Sequence, residues 1–91
     1  GTLGYTAEIE RMDVGTLDID ADSFAAAQTG VAATVPGTSG VMQAHTITFT
    51  SGAAMDSLAA SETGRIRITR DVANDTAAGD AQLIEAIIKE T

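Results

Sequence analysis

Three short segments of this chain alternate between apolar and polar residues: residues 5–12, 41–50 and 65–72. A period of two places successive side chains on opposite faces of a strand, so each segment predicts a half-exposed β-strand. The pattern is strongest in the middle segment, where His45, Ile47 and Phe49 share one face and threonines share the other. Residues 31–35 are rich enough in β-branched side chains to predict a further short strand.

The segments between these strands carry turn signals. Residues 13–15 predict a turn, and the stretch 36–40, which contains the only proline, predicts a break. Residues 24–28 predict a helical turn capped by Ser23, and residues 55–60 predict another with Leu58 pointing inward. The last run, 81–90, fits an apolar helix face and an apolar strand equally well, so its residues leave both structures open.

Large apolar side chains are scarce in this chain. Seventeen residues are alanine, whereas leucine, isoleucine, valine and phenylalanine together number nineteen of 91. A chain of this size buries little surface, and one with so few large side chains is marginal alone. We therefore expect neighbouring chains, or further sequence, to complete the core. The alternation predicts this buried core: Ile9, Ile47, Phe49, Leu58, Ile66, Ile68 and Ile88.

The charge balance excludes several classes of partner. Five basic and thirteen acidic residues give a net charge of −8, which disfavours nucleic acid and anionic membrane surfaces. The chain has no cysteine, and no apolar run approaches the roughly 20 residues of a membrane span. With one histidine, one lysine and no nucleophile–base motif, the sequence predicts that the chain is not an enzyme. His45 is expected to pack rather than to bind a metal.

Basic residues concentrate in one strand. Three of the five, all arginines, lie between residues 65 and 70, and no lysine or arginine occurs between residues 12 and 64. Opposite charges that face each other across two strands contribute roughly 0.2–1 kcal/mol. We therefore predict that this strand pairs its arginines with Glu8 and Glu10.

An acidic segment resembles part of a calcium-binding loop. Asp18, Asp20 and Asp22 match the first, third and fifth positions of a calcium loop. Ser23 stands where such a loop needs glycine for its sharp turn, and Thr29 stands where it needs a bidentate glutamate. Because of these two departures, a solvated loop is the favoured interpretation, and calcium is the alternative.

The second half of the chain resembles small virion proteins of tailed bacteriophages that end in a β-sandwich or jelly-roll-like domain. The resemblance is carried, in order, by four features: the threonine-rich strand 45–50, the Ser-Leu-Ala-Ala turn at 57–60, the arginine-rich stretch 65–71, and the loop 74–83 with its Gly-Asp-Ala. The acidic segment 17–24 fits the aspartate-rich loop of that family.

This resemblance implies a fold and a function. The fold would be all-β, an antiparallel β-sandwich of jelly-roll type in which residues 1–91 form a single domain, the C-terminal part of a larger chain or assembly unit that lacks or borrows N-terminal strands. It also implies that residues 81–90 form a strand. The function would be that of a non-enzymatic component of a tail fibre, baseplate or capsid surface, located on the virion and binding no cofactor. Its partners would be other virion proteins and itself, as a trimer.

The residues alone are also compatible with a second function. The chain would then be a calcium-stabilised extracellular adhesion or carbohydrate-binding module. Besides the three aspartates of the acidic segment, its candidate ligands lie in the later polar loop: Asp71, Asn74, Asp75 and Asp80. For this loop, side chains that cap their own turns are the favoured interpretation.

Overall fold

The computed structural model describes residues 1–16, 18, 20, 23–79 and 81–89, and in these residues the fold is all-β, as predicted. Five strands occur in the order β1 (Thr2–Leu3), β2 (Tyr5–Arg11), β3 (Gln28–Thr29), β4 (Ala33–Thr34) and β5 (Gly64–Arg70). They form two antiparallel sheets, one of β1 and β4 and one in the order β3-β2-β5. The described residues contain one turn of 3-10 helix, Ala53–Met55. None of their helices is long and apolar enough to cross a membrane.

The ladder between β2 and β5 is the longest strand pairing in the described residues. It runs through seven residue pairs, from Tyr5 opposite Arg70 to Arg11 opposite Gly64. Directly opposed residues share a face of the sheet, so the alternation of both strands separates an apolar face from a charged one. The strands predicted at residues 5–12 and 65–72 are therefore confirmed, within one or two residues at their ends.

The shorter elements follow the sequence less closely. The turn predicted at 13–15 is present, since the Thr16 amide donates to the Asp13 carbonyl at 3.2 Å. The strand predicted at 31–35 shrinks to Ala33–Thr34, and the helical turn predicted at 55–60 occurs at Ala53–Met55. The helical turn predicted at 24–28 is wrong. There the Ala25 amide donates to Ile9 of β2, and an isolated turn of helix could not compete with pairing along a strand.

Two longer predictions are also wrong. Residues 41–50 form no strand, although their burial alternates as predicted: His45, Ile47 and Phe49 are half-buried and the threonines between them are exposed. Residues 81–89 form neither the strand that the resemblance implied nor a helix. A β-ladder needs a neighbouring strand, and neither segment has one among the described residues.

The predicted core is not buried as a unit. Among the described residues, Ala7 is the one apolar residue that is buried. Five of the predicted core residues are half-buried: Ile9, Ile47, Phe49, Leu58 and Ile68. Ile66 is 40% exposed and Ile88 is 81% exposed, which contradicts the prediction for these two. The side chains lie on the predicted faces, but too little protein packs over them.

One glycine holds the segment 41–50 close to the sheet. A Cβ added at Gly30 would lie 2.8 Å from Ile47 Cγ1 and 3.2 Å from the Thr46 carbonyl oxygen. We expect Gly30→Ala to push this segment away and to lower the free energy of unfolding by about 1–3 kcal/mol in urea titrations. Gly37→Ala is the matched control, because nothing lies within 4 Å of its added Cβ. Equal stability of the two variants would contradict the predicted contact.

Candidate functional site

One face of the three-stranded sheet is held by ion pairs, and we call it the ion-pair face: Glu8, Glu10, Arg65 and Arg67. Register places Glu8 opposite Arg67 and Glu10 opposite Arg65. Arg65 Nη2 donates to Glu10 Oε2 at 3.2 Å, and Arg67 Nη2 donates to Glu8 Oε2. Glu10 is fully buried, whereas the Arg67 side chain is 56% exposed. The predicted pairing of these two glutamates with the arginine-rich strand is confirmed.

Phe24 covers the ion-pair face. The guanidinium carbons of Arg65 and Arg67 lie 4.8 and 4.4 Å from the centre of its ring, within the range of a cation–π interaction. No pattern in the residues around Phe24 predicts this contact. The ring covers part of the ion-pair face, while the Arg67 side chain stays 56% exposed.

The opposite face carries Tyr5, Ala7, Ile9, Ile66 and Ile68, and we call it the open face. It borders an open cavity of about 1910 Å³, whose other walls include residues 40–49 and 81–89. Pockets for small ligands measure roughly 300–1,000 Å³, and folded interiors leave few voids larger than a water molecule. The cavity is larger than a typical small-ligand pocket, and most of its lining is apolar.

His45 lies at the edge of this cavity. Its ring meets the Tyr5 ring edge to face, with centroids 5.1 Å apart. Both imidazole nitrogens are buried, and neither has a hydrogen-bond partner in the described part of the chain. The described residues contain no group of three His, Asp or Glu side chains that could hold a metal ion. The packing role of His45 stays a prediction.

A polar clamp joins the start of the chain to the loop after β5. Arg70 donates to both carboxylate oxygens of Asp75, at 2.7 and 2.9 Å. The amides of Gly4 and Ala77 also donate to Asp75, at 3.5 and 3.0 Å. The Arg70 hydrogen bond, helped by these amides and by the positive charge, lowers the pKa of Asp75 from 3.8 to about 2 against the opposing effect of burial.

Two of the other aspartates proposed as calcium ligands are engaged locally. Asp71 accepts a hydrogen bond from the Asn74 amide at 2.9 Å, and Asp18 accepts one from the backbone of Asp20 at 2.9 Å. Such bonds are typical of side chains that cap their own turns. Asp22 and Asp80 lie outside the described residues. Calcium binding by Asp18, Asp20 and Asp22 therefore stays a prediction.

Comparison with known proteins identifies no relative of this chain. No family model, curated protein or solved structure matches this chain.

Proposed function

We propose that this chain is a non-enzymatic structural protein of a tailed-bacteriophage virion, part of a tail fibre, baseplate or capsid surface, and that it acts by self-assembly. The virion assignment is supported by the sequence resemblance of residues 16–91. Its partners are other copies of the chain, in a trimer, and neighbouring virion proteins.

The observation that carries self-assembly is the incomplete cover of the open face. Ile66 is 40% exposed on it, Ile9 and Ile68 are half-buried, and among the described apolar residues Ala7 is the one that is buried. Burial of apolar surface contributes roughly 25 cal/mol per Å², so a sheet that is only partly covered on its apolar side forgoes part of that stabilisation. A neighbouring chain that covers this face supplies the missing burial.

The same argument supports a β-sandwich as the assembled fold. Two sheets that pack face to face lie about 10 Å apart, with their inner side chains interdigitated. One such layer is the β3-β2-β5 sheet, and a second layer over the open face completes the sandwich. Residues 44–50 already alternate in burial as a strand of that second layer does.

Mass measurement tests this function. At micromolar concentration we expect sedimentation and light scattering to give about three times the 9.2 kDa of one chain. Imaging of the assembly then tests whether it is a closed particle or a fibre. A monomer that unfolds cooperatively above about 60 °C, the upper part of the mesophilic range, would contradict self-assembly.

A further inference from the structure

The last described segment of the chain, residues 81–89, lies beside the open face without being fixed to it. All nine of its residues line the large cavity of that face. None of them makes a backbone-to-backbone hydrogen bond within the described chain. Backbone amides and carbonyls are almost always paired in folded proteins, and segments that lack such bonds open and close at low cost in free energy. The segment can therefore move relative to the sheet.

The two sides of this segment differ in character. In an extended chain, neighbouring side chains point to opposite sides, so Ile84, Ala86 and Ile88 share one side. The other side carries both charges of the segment, Glu85 and Lys89. Burying a charge without a partner is costly, so the charged side is the one that stays in water. The apolar side is then the one that turns toward the sheet.

Ile88 lies at the wall of a small cavity that its own side chain can fill. The cavity measures about 150 Å³, and Ile9, Leu58 and Ile66 contribute to its lining. An apolar cavity of this size can hold a group as large as a benzene ring, so an aliphatic side chain fits. Ile88 is 81% exposed and Ile66 is 40% exposed. Turning Ile88 into this cavity covers both side chains.

Resting on the proposed self-assembly, we infer that residues 81–89 are a strap that closes over the open face of their own chain, with Ile88 in the small cavity as the anchor. The closed strap occupies the face through which copies associate. Closure and assembly then compete, so the closed strap holds the chain as a monomer and its release allows assembly. The fraction of chains with an open strap sets the apparent affinity between copies.

Thiol accessibility in dissociated chains tests the closed strap. The chain has no cysteine, so Ile88→Cys and Ile87→Cys each carry a single thiol. With the strap open, positions 88 and 87 are 81% and 67% exposed, and their thiols would react at similar rates. With the strap closed in most chains, we expect Ile88→Cys to react with a maleimide about tenfold more slowly than Ile87→Cys. Val14→Cys, at a residue 92% exposed, gives the rate of an uncovered thiol.

The protein concentration separates closure within one chain from cover by a neighbour. At nanomolar concentration, where copies dissociate, the strap should protect the thiol of Ile88→Cys. At concentrations that give assembly, we expect this protection to decrease, because the neighbour displaces the strap. Equal rates for Ile88→Cys and Ile87→Cys in dissociated chains would overturn the inference. Protection that appears only in the assembly shows that another copy covers Ile88, which also overturns it.

A charge at the anchor tests the competition. Ile88→Asp should strengthen assembly about tenfold in sedimentation, because a carboxylate does not enter the apolar cavity and the strap stays open. Ile87→Asp is the matched control, since it adds the same charge on the side of the strap that stays in water, and it should leave assembly unchanged. Unchanged or weaker assembly in Ile88→Asp would overturn the competition.

The outcomes distinguish this inference from the proposed function. If neither the wild-type chain nor Ile88→Asp assembles, self-assembly is contradicted together with the competition that rests on it. If the wild-type chain assembles while Ile88→Cys and Ile87→Cys react equally fast after dissociation, self-assembly stands and the strap is overturned.

Discussion

Arg65→Ala should lower the free energy of unfolding by about 2 kcal/mol, less than the loss for a fully buried ion pair because the Arg65 side chain is 39% exposed. Its partner Glu10 is fully buried, and Arg65 supplies the hydrogen bond at 3.2 Å to that carboxylate. Without the guanidinium, a charged carboxylate stays inside the protein with no counter-charge. Urea denaturation at fixed protein concentration measures the loss.

Arg67→Ala is the matched control for this prediction. Arg67 also pairs with a glutamate and also lies over the Phe24 ring, at 4.4 Å against 4.8 Å for Arg65. Its side chain is 56% exposed, and exposed pairs are worth roughly 0–1 kcal/mol. We expect a loss of about 1 kcal/mol, including the cation–π contact. Equal losses in the two variants would show that burial of Glu10 does not set the cost.

A second substitution separates lost packing from uncompensated charge. In the Arg65→Ala background, Glu10→Leu removes the buried carboxylate and should recover most of the stability, since apolar replacements of buried ion pairs are often neutral. If the double variant is less stable than Arg65→Ala alone, the packing of the Glu10 chain matters more than its charge.

The central ladder could be predicted because both of its determinants are local. Alternation in residues 5–12 and 65–72 sets the faces, and the opposite charges of Glu8 and Glu10 against the arginines select the partner strand. Strand pairing of this kind is specified by side chains that oppose each other directly. The two strands, and the charges that pair them, could therefore both be read from the sequence.

Residues 41–50 show the limit of predicting structure from a local sequence pattern. Their period of two survives as alternating burial of His45, Ile47 and Phe49, but a strand also needs a neighbour, which no local pattern supplies. The same holds for burial. Ile66 lies on the predicted face and is still 40% exposed, because its exposure depends on what packs above the sheet.

Contacts between distant side chains were the least predictable part of the site. Phe24 contacts Arg65 and Arg67, which lie about forty residues later in the sequence. No pattern in the residues around Phe24 predicts this contact. Asp75 was considered only as a calcium ligand or a capping residue. Its clamp on Arg70 and on the Gly4 amide depends on β2 and β5 bringing the start of the chain beside the later loop.

Asp75→Asn should flatten the dependence of stability on pH between about pH 4 and pH 2. The Arg70 hydrogen bond holds the pKa of Asp75 at about 2 in the folded protein, against 3.8 as its ordinary value. Between these values the unfolded chain binds the proton more readily. The stabilisation is therefore complete above this window and is lost as the pH falls through it. Urea midpoints at several pH values measure the slope, and the wild-type chain should lose more stability than Asp75→Asn across the window. Asp20→Asn is the control for the loss of one negative charge, because the Asp20 carboxylate accepts no hydrogen bond from the described residues. Identical slopes in wild type and Asp75→Asn would contradict the clamp.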